Sequence, residues 1–143
     1  MAAVNTDPIF SKSGEVSKDA GTGMGALVLT QQQDYTGANA TLLFTADGTN
    51  GGFIQRIRFK AGGTNVASVA RIFINNGATP GTTTNNQFYG EVSLPATTQI
   101  NTAATIDLDY PMNFALNPTF RVYWQLATTV AAGWVAIGIG GKY

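Results

Sequence analysis

From residue 25 onward, apolar side chains recur at every second position, in runs of five to ten residues closed by Gly, Asn or Pro. Alternation with period two places successive side chains on opposite faces of an extended chain, and it does not fit the 3.6-residue period of a helix. Residues 105–110 (TIDLDY) put Ile106, Leu108 and Tyr110 on one face, with Thr105, Asp107 and Asp109 on the other. Residues 120–126 (FRVYWQL) align Phe120, Val122, Trp124 and Leu126, leaving Arg121, Tyr123 and Gln125 opposite. In residues 53–61 (FIQRIRFKA) the same rule groups Phe53, Ile57 and Phe59 inward and Arg56, Arg58 and Lys60 outward.

Further strands are expected at residues 25–31, 40–45, 66–75, 87–94 and 134–139, with a short one at 112–116. Pro111 is expected to interrupt the pairing between 105–110 and 112–116, because proline has no N–H for a ladder. Residues 47–52 (DGTNGG) read as a turn, since Gly and Asn tolerate positive φ. The Gly, Thr and Asn-rich stretch 75–86 reads as a long loop. Many short strands with turn signals between them indicate an all-β fold: a single β-sandwich, jelly-roll-like, of about eight strands, with an extended N-terminal arm. An immunoglobulin-like sandwich is the alternative. The expected division is an arm at 1–24 and a sandwich domain at 25–143. The arm lacks apolar periodicity apart from Ile9-Phe10, and it is either a disordered terminus or a segment that orders on a neighbour.

Composition narrows the function. The chain has no histidine and no cysteine. It therefore lacks the usual general base near neutral pH, a thiol nucleophile and the common zinc ligands. Only 11% of its residues are charged, against roughly 25% in typical soluble domains. Low charge with zero net charge suits a protein whose surface is covered in an assembly. Eight basic residues balance eight acidic ones, so no basic excess for nucleic acid is expected. No apolar run is long enough for a membrane helix. The N-terminus lacks the basic and apolar regions of a secretory signal.

Chemical constellations are few. Asp107 and Asp109 share a strand face roughly 6–7 Å apart, a spacing open to glycoside hydrolysis. Both face away from the core, so a solvated or interface role is expected and no catalytic residue is assigned. Asp47 to Asn50 supplies oxygens for calcium, but no acidic residue closes the loop, so a plain turn is expected and no metal or cofactor. Serines exist without a histidine base. Neither glycine-rich loop carries a phosphate-binding lysine. The aromatic residues, Tyr123 and Trp134 among them, leave a carbohydrate platform open; Trp134 follows Gly133 and reads as a rim or interface position.

The charge pattern is the more specific signal. Arg56, Arg58 and Lys60 form one basic row, and Asp107 and Asp109 one acidic row. They read as ordinary solvated faces, as edge charges that block aggregation, as cross-strand partners, or as subunit-interface contacts.

Four tracts together resemble a group of small virion structural proteins of tailed bacteriophages. They are FIQRIRFKAGGTNVASVARIFINNG (53–77), FYGEVSLPATT (88–98), DLDYPMNFAL (107–116) and TTVAAGWVAIGIGGKY (128–143). The resemblance implies a non-enzymatic β-sandwich protein of the particle, in the first place a head decoration protein on the outer surface of the phage head. It further implies a homo-oligomer, a trimer, whose partner is the major capsid protein, with no nucleic acid or membrane partner. On that reading Asp7, Pro8, Ile9 and Phe10 of the arm contact the capsid, and Arg56, Arg58, Lys60, Asp107 and Asp109 contact other subunits. A tail, fibre or head-fibre module, or a free carbohydrate-binding module, are the alternatives.

Overall fold

The alternating tracts build two four-stranded antiparallel sheets that close on one apolar core. The computed structural model describes residues 13–16, 28 and 34–143. Its strands are β1 (Ser13–Val16), β2 (Thr41–Thr45), β3 (Gly52–Ala61), β4 (Ser68–Asn75), β5 (Asn86–Leu94), β6 (Asp107–Leu116), β7 (Arg121–Leu126) and β8 (Trp134–Lys142). The first sheet has the order β1-β8-β3-β6 and the second β2-β7-β4-β5. The first strand thus pairs with the eighth, the second with the seventh, the third with the sixth and the fourth with the fifth. That is one long antiparallel ribbon rolled over on itself, with β8–β3 and β7–β4 joining its turns. The chain is a jelly roll; the order differs from that of an immunoglobulin sandwich.

Each sheet turns one face to the core. Ile54, Ile57 and Phe59 of β3 meet Ile72 of β4 and Val122, Trp124 and Leu126 of β7 there. Phe59 and Trp124, from opposite sheets, lie edge to face with ring centroids 5.6 Å apart. β2 lies over β8: a bulge between Leu42 and Phe44 lets Leu43 and Phe44 both be buried, and Leu43 rests against Gly138.

Several expectations change in the structure. Phe53 does not share the core face with Ile57 and Phe59. A bulge between Ile54 and Arg56 reverses the alternation, so Ile54 is buried and Phe53 is only half-buried. β6 runs unbroken through Pro111. It is an edge strand, where a missing N–H leaves no neighbour unpaired. Ile106 lies before the strand begins and is 43% exposed instead of inward. Trp134 is fully buried, not a rim residue, and packs in the core with Val28 beside it. Of the expected strand at 25–31, only Val28 is among the described residues; it bridges Trp134. Residues 13–16, within the segment read as an arm, form β1 on the edge of β8. Four residues with one apolar side chain are too short a tract to show alternation.

β8 also extends past its apolar run to Lys142, through Gly140 and Gly141. Gly140 faces the bulge of β3, and a Cβ there would fall on the Phe53 carbonyl oxygen and crowd Ile54. Gly140→Ala is therefore expected to cost about 3 kcal/mol, at the upper end of overpacking, because backbone is the obstacle. Gly48→Ala, with nothing within 4 Å of its added methyl, is the control and should change stability by about 0.5 kcal/mol or less. Urea midpoints at unchanged slope test both.

Candidate functional site

Arg56, Arg58 and Lys60 project from the outer face of the first sheet, opposite the buried Ile57, Phe59 and Ala61. On β6, Asp107 and Asp109 project the same way, because Arg58 is in register with Asp109 and Lys60 with Asp107. The structure thus brings all five sequence-predicted charges to one surface. The ion pairs run diagonally. The Arg58 guanidinium donates to the Asp107 carboxylate, and Arg56 Nε lies 3.9 Å from Asp109 Oδ1. The Lys60 ammonium donates to the Thr105 carbonyl.

This ladder is exposed, with side-chain accessibilities of 38% for Arg56, 52% for Asp109, 43% for Arg58 and 36% for Asp107. Water screens it, so each pair contributes about 0–1 kcal/mol. Its chemistry is that of an edge: charges and a proline line β6 and oppose the addition of a further strand. An Arg58→Ala, Asp107→Ala double-mutant cycle should give a coupling of about 0.5 kcal/mol, reduced further in salt. A coupling several times larger would mean a water-excluded pair. Neither carboxylate sits in an apolar enclosure, and each faces a guanidinium.

On the other side of β3 the same surface continues as an aliphatic column. Val135, Ile137 and Ile139 of β8 are in register with Lys60, Arg58 and Arg56 and are half-buried. Sequence reasoning did not single these residues out. Their signal was present in WVAIGI, where they alternate with Trp134, Ala136 and Gly138.

The second sheet is finished differently. Residues 34–37 lie across its outer face. The Tyr35 ring stacks beneath the Arg71 guanidinium, 3.9 Å from its centroid, and meets Phe88 edge-on. Gln125 Nε2 donates to the Asp34 carbonyl, 2.5 Å away, and Asn86 Nδ2 to the Thr36 carbonyl. Gly37 sits against the Phe73 ring, at φ +71°. Phe73, Tyr123 and Gln125 are buried at 0%, 6% and 1% exposure. Tyr123 and Trp134 are therefore both inaccessible, which removes the two residues on which a carbohydrate platform would have relied.

The acidic turn at 47–52 is also occupied by its own backbone. Asp47 Oδ1 accepts from the amides of Thr49 and Asn50, at 2.9 and 2.8 Å. These bonds hold its carboxyl below the usual 3.8, and a Thr36 hydroxyl bond does the same for Asp34. Stability from both groups is complete above 3.8 and is lost as pH falls through their lower folded values. Among the described residues no group of three or more acidic, histidine or cysteine side chains gathers to hold a metal ion. Ser68, one of the serines considered as a nucleophile, exchanges two 3.1 Å hydrogen bonds with the Thr128 backbone.

At the open side of the sandwich, Tyr110 and Phe114 of β6 reach toward β5. Tyr89 packs on both, and Gly90 leaves room for the Tyr110 hydroxyl. Burial, with a contribution from Tyr89, raises the Tyr110 pKa above 10.0. The cluster joins the free edges of the two sheets. The four arm residues expected to contact the capsid, Asp7, Pro8, Ile9 and Phe10, lie outside the described residues.

No family model, no curated protein and no solved structure matches the chain.

Proposed function

We propose that this chain is a non-enzymatic structural protein of a tailed-phage particle, a head decoration protein that binds the assembled capsid and stabilises it. The observation that carries the reading is the asymmetry of the two outer faces. Residues 34–37 lie over part of the second sheet's outer face, with Phe73 fully buried against Gly37. The first presents a half-buried aliphatic column beside a ladder of neutralising ion pairs. Apolar area next to paired charge is the composition of a protein contact surface, in which burial supplies affinity and charge sets register. A jelly roll is also a fold used by viral capsid domains, which supports the reading as an analogy of architecture.

On this reading the first sheet's outer face makes the subunit contacts of a trimer, through Arg56, Arg58, Lys60, Asp107, Asp109 and the neighbouring Ile137 and Ile139. The arm residues Asp7, Pro8, Ile9 and Phe10 reach the major capsid protein. The mechanism is mechanical. A trimer that touches several capsid subunits at once gains avidity from modest contacts. Because it binds only the assembled lattice, it stabilises that state by mass action.

Co-sedimentation tests the proposal. Purified protein mixed with mature heads of the virus that carries its gene, lacking their own copy, should pellet with the heads. It should stay in the supernatant with unassembled capsid protein. Equal binding to both, or to neither, would overturn the reading. Ile137→Asp should leave the chain folded and abolish the trimer in light scattering; a trimer that survives would remove this face from the interface.

A further inference from the structure

We propose that the edge of β8 on which β1 lies is a strand-acceptor site, and that in the assembled protein it takes Ser13–Val16 of a second copy of this chain. The inference rests on the assembly reading above and adds to it the site and its occupant.

β1 is a minimal strand. Its four residues pair with β8 alone, Ser13 with Lys142 through Val16 with Ile139. Ser13 and Gly14 are exposed, and the tract SGEV contains one apolar residue. All four residues are in backbone register with β8, and a backbone ladder forms equally well with a strand from another chain.

The tether is longer than pairing within one chain requires. Val28 is fixed on the same strand, exchanging backbone hydrogen bonds of 2.9 and 3.0 Å with Trp134. The partner of Val16, Ile139, lies five residues further along β8, about 17 Å away. Residues 17–27, three of them glycine, join the two points and can span up to about 40 Å. More than half of that reach is surplus. It lets the segment cross to the β8 edge of an adjacent copy while Val28 stays in place. Exchange conserves every backbone bond, so proximity between copies decides which chain donates.

The chain has no cysteine, which makes the test direct. Ser13→Cys and Lys142→Cys are introduced into separate full-length chains, one carrying a size tag. The two are mixed at high concentration, oxidised and run on a denaturing gel without reductant. A hetero-disulfide dimer as the main product is expected, at least tenfold over a Ser13→Cys with Gln87→Cys control, since Gln87 lies on β5 of the other sheet. No excess over the control would overturn the proposal. The doubly substituted chain gives a second readout. Linked oligomers are expected, whereas a monomer with its disulfide closed internally, or with both thiols free, would also overturn it. Head binding of the unsubstituted protein is scored separately. Exchange without head binding would retire the decoration reading and leave the acceptor edge standing; head binding without exchange would do the reverse.

Discussion

Trp124→Ala is expected to cost about 3–5 kcal/mol of folding stability. That is a large share of the roughly 5–15 kcal/mol available to a domain of this kind. The indole is 2% exposed and stands on β7, where it crosses the sandwich to meet Phe59 of β3. Removing it leaves a cavity that neither sheet can close without moving the other. Trp124→Phe keeps a ring in the space and should cost about half as much. Phe59→Ala should cost as much as Trp124→Ala, and the double substitution less than the sum, because both delete the same edge-to-face contact. Urea unfolding measures all four. A loss below about 1 kcal/mol for Trp124→Ala would contradict a core shared by the two sheets.

Asn65→Ala carries the second large effect, and it acts at the end of the sandwich. Asn65 is 4% exposed. Its Oδ1 accepts from the amides of Ala132 and Gly133, at 2.8 and 2.9 Å, and its Nδ2 donates to the Gly133 carbonyl at 3.0 Å. Its backbone pairs with Thr97, whose hydroxyl donates to the Gly63 carbonyl at 2.6 Å. One side chain thus ties the β3–β4 connection to the segment entering β8, and its backbone adds the segment after β5. Alanine leaves the amides of Ala132 and Gly133 without their partner, at about 1–3 kcal/mol for each that water does not reach, and takes one of two donors from the Gly133 carbonyl, which keeps the Gly62 amide. A loss near 3 kcal/mol is expected, with faster hydrogen exchange at Ala132 and Gly133 and little change in the β3–β8 ladder. Protection that persists at those two amides would show that the backbone alone holds the loops.

Much of this fold is legible in the alternation of apolar residues, because a sandwich strand buries one face. The core set Val122, Trp124 and Leu126 follows from it directly, and so does the outward row of Arg56, Arg58 and Lys60. The departures share a cause: pairing with a distant strand overrides the local pattern. The β3 bulge that turns Phe53 outward answers to Gly140 and Gly141, more than eighty residues away. Pro111 is harmless because β6 has no outer neighbour among the described residues, and edge position is a property of topology. Trp134 is buried because it faces the core between Ala61 of β3 and Val28, which its flanking Gly133 could not indicate. The cover on Phe73 and the partner of Gln125 come from residues 34–37, a tract with no periodicity to announce it.

The candidate site was half legible. Five charges on two alternating strands mark a surface, and the register of β3 with β6 lets Arg56 and Arg58 pair with the two aspartates while Lys60 turns to the Thr105 carbonyl. The aliphatic column beside them is not legible as a surface, since every residue of WVAIGI but glycine is apolar and alternation there does not say which face is inward. A clamp such as Asn65 leaves no periodic trace at all; it is an asparagine in a glycine-rich loop until three connections converge on it.

The most direct test of the decoration reading is electron cryomicroscopy of heads saturated with the purified protein. Additional density at local three-fold positions over the whole head, sized for three jelly rolls, is the predicted result. Density confined to the tail or to a single vertex, or heads left bare, would contradict it.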